Sequence, residues 1–176
     1  MAIKSRICET FGIKYPIFLA GMGGAANPAL AAAVSNAGGL GVLGAAACTP
    51  EQMRRWINET RKLTDKPFGV DTLLPMSVRG SGNIKQNQGQ DPSQLVAEYK
   101  KMAMQFMTEQ GLKIIEEDRQ ATAIESVGLF TKEFFESQME VVIEEKVPVY
   151  AAGLGNPEPW MERMRANNTK VMTVVG

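Results

Sequence analysis

The sequence predicts an α/β protein assembled from parallel βα units. Three observations carry that expectation: short runs that are apolar at nearly every position, helix-start signals between them, and a regular spacing. The runs are Pro16 to Ala20, Leu40 to Leu43, Phe68 to Thr72, Val147 to Ala151 and Val171 to Val175. A strand with one wet face alternates polar and apolar residues, whereas a strand covered on both faces reads as a continuous apolar run, as in a parallel sheet lined by helices. Run starts at residues 16, 40, 68, 147 and 171 are 24, 28, 79 and 24 residues apart. The short separations have the length of a strand, a loop, a helix and a return loop.

The segments between the runs read as helices in order. Asn27-Pro28, Thr49-Pro50 and Asn156-Pro157 each place a side-chain acceptor at the N-cap and a proline at the first helical position, where its missing N–H has no intrahelical partner to lose. Thr49 and Gln52 add capping-box spacing. The Ala/Gly-rich stretch from Pro28 to Cys48 has the length of a membrane span, which needs about 20 apolar residues. Ser35 and Asn36 at its middle, and Gly38, Gly39, Gly41 and Gly44 after them, make it a helix, a turn and a strand instead. The long gap predicts an insertion after the third strand, residues 75–130, because a structureless loop of that size is improbable in a compact domain. Within it, Ser77 to Gln90 is polar, and Asp91-Pro92 opens a helix carrying Leu95, Tyr99, Met102 and Phe106 on one stripe and ending near Gly111. Met102, Met104 and Met107 read as core filler, with an adaptable lid as the alternative. Phe130 and Phe135 flank Thr131 at hydrophobic-staple spacing, opening a helix to about Glu145.

Composition narrows the chemistry. The 176 residues hold 19 Lys+Arg, 19 Asp+Glu, two Cys and no His. A formal charge of zero without a basic run leaves no electrostatic footprint for nucleic acid or an anionic membrane. Without histidine the chain alone cannot build a Ser-His-Asp triad, a Cys-His pair or a His-ligated metal site. Cys8 and Cys48 lie far apart behind an N-terminus without a long apolar signal core, which fits buried thiols in a reduced, cytoplasmic setting.

Two glycine motifs stand out. Gly39-Leu40-Gly41-Val42-Leu43-Gly44 is a literal G-x-G-x-x-G, but a helix precedes it and the motif is itself the strand-like run, so close strand packing explains it better than a dinucleotide turn. Gly21-Met22-Gly23-Gly24-Ala25-Ala26 comes after the first run at its carboxyl end, where βα loops build the sites of parallel α/β folds. Nearly free of bulky side chains, it lets a flat ligand approach the backbone. Asp71, Gly153, Gly155 and Asn156 fall at or just past strand ends on the same expected face.

The stretches Tyr15 to Gly24, Ala32 to Gly44 and Leu63 to Asp71 resemble the nitronate monooxygenase (2-nitropropane dioxygenase) family, itself similar to the flavin-dependent enoyl-acyl-carrier-protein reductases. The likeness resumes at Val147 to Asn156 and at Val171 to Gly176. It implies the first five strands of a (β/α)8 TIM barrel binding FMN at the carboxyl ends of its strands, with 1–176 the N-terminal part of one FMN-binding barrel domain. By matched position, Ala20, Gly21 and Met22 would lie against the isoalloxazine ring, Asp71 near its pyrimidine edge, and Gly153 to Asn156 with Gly176 on the far side of the pocket. Family members often carry an amide where this chain has Asp71. An amide donates and accepts, whereas an ionised carboxylate only accepts.

A complete barrel usually needs about 250 residues, so the resemblance covers an N-terminal portion. The family's catalytic histidine would lie beyond Gly176, and no catalytic residue or metal ligand is assigned within this chain. The implied activity of the parent is oxidation of alkyl nitronates by dioxygen. One alternative is NAD(P)H-dependent reduction of an enoyl thioester on the same flavin. Another is that the isolated chain is an inactive fragment or a half-barrel that self-associates through its open sheet edges.

Overall fold

The computed structural model describes residues 5–74, 92–111 and 132–174. Four strands form one parallel sheet in chain order: β1 (Gly41–Gly44), β2 (Phe68–Leu73), β3 (Val149–Leu154) and β4 (Lys170–Thr173). The helices are α1 (Arg6–Phe11), α2 (Pro28–Asn36), α3 (Pro50–Leu63), α4 (Pro92–Glu109), α5 (Lys132–Glu144) and α6 (Met161–Ala166). The chain divides into two compact units, residues 1–77 with 121–176 and residues 78–120.

Helix starts obey local chemistry. Asn27 caps α2 by accepting from the Leu30 amide at 3.0 Å, and Thr49 caps α3 by accepting from Gln52 at 3.2 Å. Asn156 accepts from the Glu158 amide at 3.0 Å, but the element it opens is a 3-10 turn, Glu158–Trp160, and α6 begins only at Met161. The Thr131 cap, the polar stretch Ser77 to Gln90 and Gly176 lie outside the described residues. Helix α1 carries no apolar periodicity long enough to read from sequence; Ser5 caps it and Gly12 closes it in the left-handed conformation at φ 68°.

Two apolar clusters cover the two faces of the sheet. On one, Leu43, Val70, Tyr150 and Ala152 pack with Met53 and Ile57 of α3, Met139 and Val142 of α5 and Met164 of α6. On the other, Leu40, Val42 and Val149 pack with Cys8 and Phe11 of α1 and with Phe18. Both cysteines are buried, and burial pushes the Cys48 thiol up to about 11. In the 78–120 unit, α4 exposes Met102, Met104 and Phe106 at 59%, 50% and 59%, so the core-filler reading does not hold for these methionines.

The G-x-G-x-x-G run is a packing device. A Cβ on Gly41 would lie 1.8 Å from the Ala31 carbonyl oxygen, so the missing side chain is what lets α2 lie on β1. Buried Ser35 locks the same junction, donating to the Pro67 carbonyl at 2.8 Å and accepting from the Gly41 amide at 3.0 Å.

One expected strand is shorter than its apolar run. Residues 16–20 meet the residue just before β1 at a single parallel bridge, Phe18 to Leu40, flanked by Leu19 N–H to Leu40 O and Leu40 N–H to Ile17 O, both 2.9 Å. Pro16 has no N–H to extend the ladder on one side. On the other, the Met22 amide bonds back to Ala20 O at 2.8 Å, and the chain turns over the end of β1 instead of running beside it.

Candidate functional site at the strand tips

Register decides what meets at the carboxyl end of the sheet. Gly44, Asp71, Ala151 and Met172 pair across β1 to β4, which puts their side chains in one row on the face opposite α3 and α5. One position beyond, Thr72 pairs with Ala152 but Leu73 pairs with Leu154. Gly153 is therefore the extra residue of a β-bulge, a feature that bends a strand end and re-aims it.

The Ala20–Met22 turn folds onto this row. A Cβ on Gly21 would stand 2.2 Å from Asp71 Oδ2, one on Gly153 2.9 Å from Asp71 Oδ1, and one on Gly44 2.4 Å from the Met22 carbonyl oxygen. The Asp71 carboxyl is thus wedged between two backbone segments that only glycine leaves open to it. Gly44 N–H also donates to Ala26 O at 3.0 Å, which ties the far end of the loop to β1. Gly23 and Gly24 differ from Gly21 and Gly44: a Cβ on either would meet nothing within 4 Å. Ala20, Met22, Gly23, Gly24, Gly153 and Leu154 are exposed around the half-buried Asp71.

This packing sets the electrostatics. Asp71 Oδ1 is buried without a well-formed hydrogen bond. Burial pushes the carboxyl up to about 6, and only the Gly153 backbone N–H works in the opposite direction. On the other face Thr72 Oγ1 and the Tyr150 hydroxyl are 2.9 Å apart, and burial raises the phenol. A carboxyl desolvated in this way keeps its proton to a higher pH than an exposed one.

Structure and sequence meet here unevenly. Ala20, Gly21, Met22, Asp71 and Gly153 come together at one end of the sheet. Asn156 is used locally, its amide Nδ2 donating to Glu158 at 3.0 Å, and Gly155 turns the chain at φ 99°. Two positioning residues escaped the sequence reading, Ser35 and Gln138. From α5, fully buried Gln138 donates through Nε2 to the Ala45, Ala46 and Cys48 carbonyls at 3.0, 3.3 and 2.8 Å, while its Oε1 has no partner. Its signal was a lone amide on the apolar stripe between Phe135 and Val142. A separate open cleft of about 410 Å³, lined by Asn156, Met161, Val171 and Val174 among others, lies beside β4 and does not include Asp71. Among the described residues no cluster of His, Cys, Asp and Glu is placed to hold a metal ion.

A parallel sheet whose strands and helices alternate, with a floor poor in side chains at its carboxyl ends, has the layout of part of an α/β barrel. The chain belongs to the nitronate monooxygenase family, whose model matches residues 4–175. A probable nitronate monooxygenase of Staphylococcus aureus strain JH9 is 30% identical over 170 residues, 96% of this chain and 42% of that protein. FabK from Thermotoga maritima is 30% identical with a TM-score of 0.63, covering 99% of this chain and 38% of FabK. The nitroalkane oxidase of Streptomyces ansochromogenes is 25% identical with a TM-score of 0.60, covering 97% and 42%. The chain thus spans about two-fifths of the length of these relatives. No helix among the described residues is long and apolar enough to cross a membrane.

Proposed function

We propose that this chain supplies the flavin-facing floor of an FMN-dependent oxidoreductase of the nitronate monooxygenase type, the parent protein oxidising alkyl nitronates with dioxygen. The observation that carries the reading is the convergence of Gly21, Asp71 and Gly153 at the strand tips of a chain in this family. The fit rests on the residues themselves: a buried carboxyl oxygen without a well-formed hydrogen bond, and exposed small or flexible residues around it. When bound, the flavin would carry the electrons between substrate and oxidant. Ala20 and Met22 would support the ring, and Asp71 would hold a proton at its edge. The barrel implied by the resemblance makes residues 1–176 the N-terminal part of one FMN-binding domain, with residues 75–130 as its insertion.

The visible spectrum of the full-length parent tests the reading. A yellow protein, or one that takes up added FMN, is expected; a colourless protein indifferent to FMN refutes it. A second reading, NAD(P)H-dependent reduction of an enoyl thioester, keeps the same floor. The identity to T. maritima FabK, 30% and equal to that to the S. aureus relative, supports retaining it. Anaerobic mixing separates the two: bleaching by NADH supports the reductase, and bleaching by a nitronate alone supports the monooxygenase.

A further inference from the structure

We infer that Leu154 is a ring-contact residue of this site: the bulge at Gly153 brings its side chain to the Asp71 face, where it and Met22 wall a slot long enough for a fused tricycle. The inference rests on the flavin reading and adds to it a residue that the family resemblance leaves without a role. Side chains alternate along a strand, and residues paired across neighbouring strands share a face. In β3, Tyr150 and Ala152 lie in the core under α3 and α5, so strict alternation would bury Leu154 as the third of that set. Instead Ala152 pairs with Thr72 and Leu154 with Leu73, two residues beyond Asp71 on β2. The extra residue therefore puts Leu154 on the face of Asp71 and Leu73, one level further toward the strand tips. Burial agrees with the register: Tyr150 and Ala152 are buried, whereas Leu154 is 47% exposed. The displaced strand end is held in place. Leu154 O accepts from Leu74 N–H at 2.8 Å, and Gly155, at φ 99°, lies so close to the Leu74 carbonyl oxygen that a Cβ would come within 1.9 Å of it.

The slot has a polar floor and apolar ends. Gly21 and Gly153 lie against the two Asp71 oxygens, and each is followed in sequence by a large apolar residue, Met22 on one side and Leu154 on the other, both 47% exposed. Met22 sits over Gly44 of β1 and Leu154 ends β3, so Asp71 of β2 lies between them. Two inter-strand spacings of about 4.8 Å set the walls about 10 Å apart, the scale of a fused three-ring system rather than of a single ring. A thioether and an isobutyl group left in water at both ends of one floor gain burial when an apolar ring fills the space between them, and ligand sites are lined in this way, mostly apolar around few polar groups. Leu154 takes no part in the cleft beside β4.

FMN is the probe, titrated into the purified chain at neutral pH with flavin fluorescence giving Kd. Leu154→Ala should bind about 3- to 10-fold more weakly, having lost the isobutyl contact, with an unchanged urea midpoint because the side chain is exposed in the free chain. Leu154→Met, which keeps a flexible apolar wall of similar volume, should stay within about twofold of the unmodified chain. Leu63→Ala is the control: Leu63 is 52% exposed at the end of α3, on the amino side of the sheet, and its truncation should leave Kd unchanged. The unmodified chain gives a second readout. With its leucine methyls 13C-labelled, the Leu154 signals, identified by their absence from either variant, should move through the ring current as FMN is added, and the Leu63 signals should stay. FMN binding with unmoved Leu154 methyls, or with equal Kd for Leu154→Ala, overturns the inference and leaves the flavin reading standing. No binding of FMN overturns both.

Discussion

Replacing Gly44 by alanine is the sharpest perturbation of the strand-tip floor. The added Cβ would stand 2.4 Å from the Met22 carbonyl oxygen and 2.5 Å from its carbon. Ordinary contacts of a Cβ lie at 3.4 Å or beyond, so the Ala20–Met22 turn must rise to make room, and backbone cannot swing aside as a flexible side chain could. Forcing extra volume into a close-packed site costs about 1–3 kcal/mol. The 3.0 Å bond from Gly44 N–H to Ala26 O would stretch with the loop, adding about 1 kcal/mol. A loss of about 2–4 kcal/mol is expected in urea unfolding, accompanied by weaker flavin binding, because the same turn carries Ala20 and Met22. Gly23→Ala is the control: its Cβ meets nothing within 4 Å, and stability should stay within about 0.5 kcal/mol. Equal stability of the two variants would refute the claim that the loop is seated on β1.

Other substitutions probe the same architecture. Asp71 has a folded-state value of about 6 against an ordinary 3.8, so the folded chain holds this proton more tightly than the unfolded one. Its contribution to stability is full below about pH 4, falls between pH 4 and 6, and is gone above. That difference corresponds to about 3 kcal/mol, reduced by partial exposure to about 2; unfolding curves of Asp71→Asn across pH should lack that decline. Ser35→Ala removes the group that serves both Pro67 O and Gly41 N–H and should cost about 1–3 kcal/mol by chemical denaturation. Gln138→Leu leaves three carbonyls of the loop after β1 without their shared donor, and a loss of about 1–3 kcal/mol is expected in the same assay. Arg163→Ala, which breaks an exposed pair with Glu140, should change stability by less than about 1 kcal/mol.

Much of the sheet was legible because its causes are local. Continuous apolar runs mark β1 to β4, and Asn27 and Thr49 cap their helices with groups three residues apart. What could not be read depends on contacts distant in sequence. Residues 16–20 are as apolar as any strand, but the turn at Ala20–Met22 is laid on Gly44, and that seat ends the ladder at one bridge. Gly153 was recognisable as a strand-end glycine; its place as the extra residue of a bulge comes from how β3 pairs with β2. Asp71 could be assigned to a strand end, whereas the pair of glycines that encloses its carboxyl belongs to two other segments. Gln138 sits 90 residues from Cys48, a separation over which no sequence pattern predicts a hydrogen bond.

The most direct test of the strand-tip floor is an amide chemical-shift map of the 15N-labelled chain on adding riboflavin. Perturbations centred on Ala20, Gly21, Met22, Gly44, Asp71 and Gly153 are predicted. Shifts confined to the cleft of Asn156, Met161, Val171 and Val174, or no shifts at a saturating ring concentration, would contradict the account.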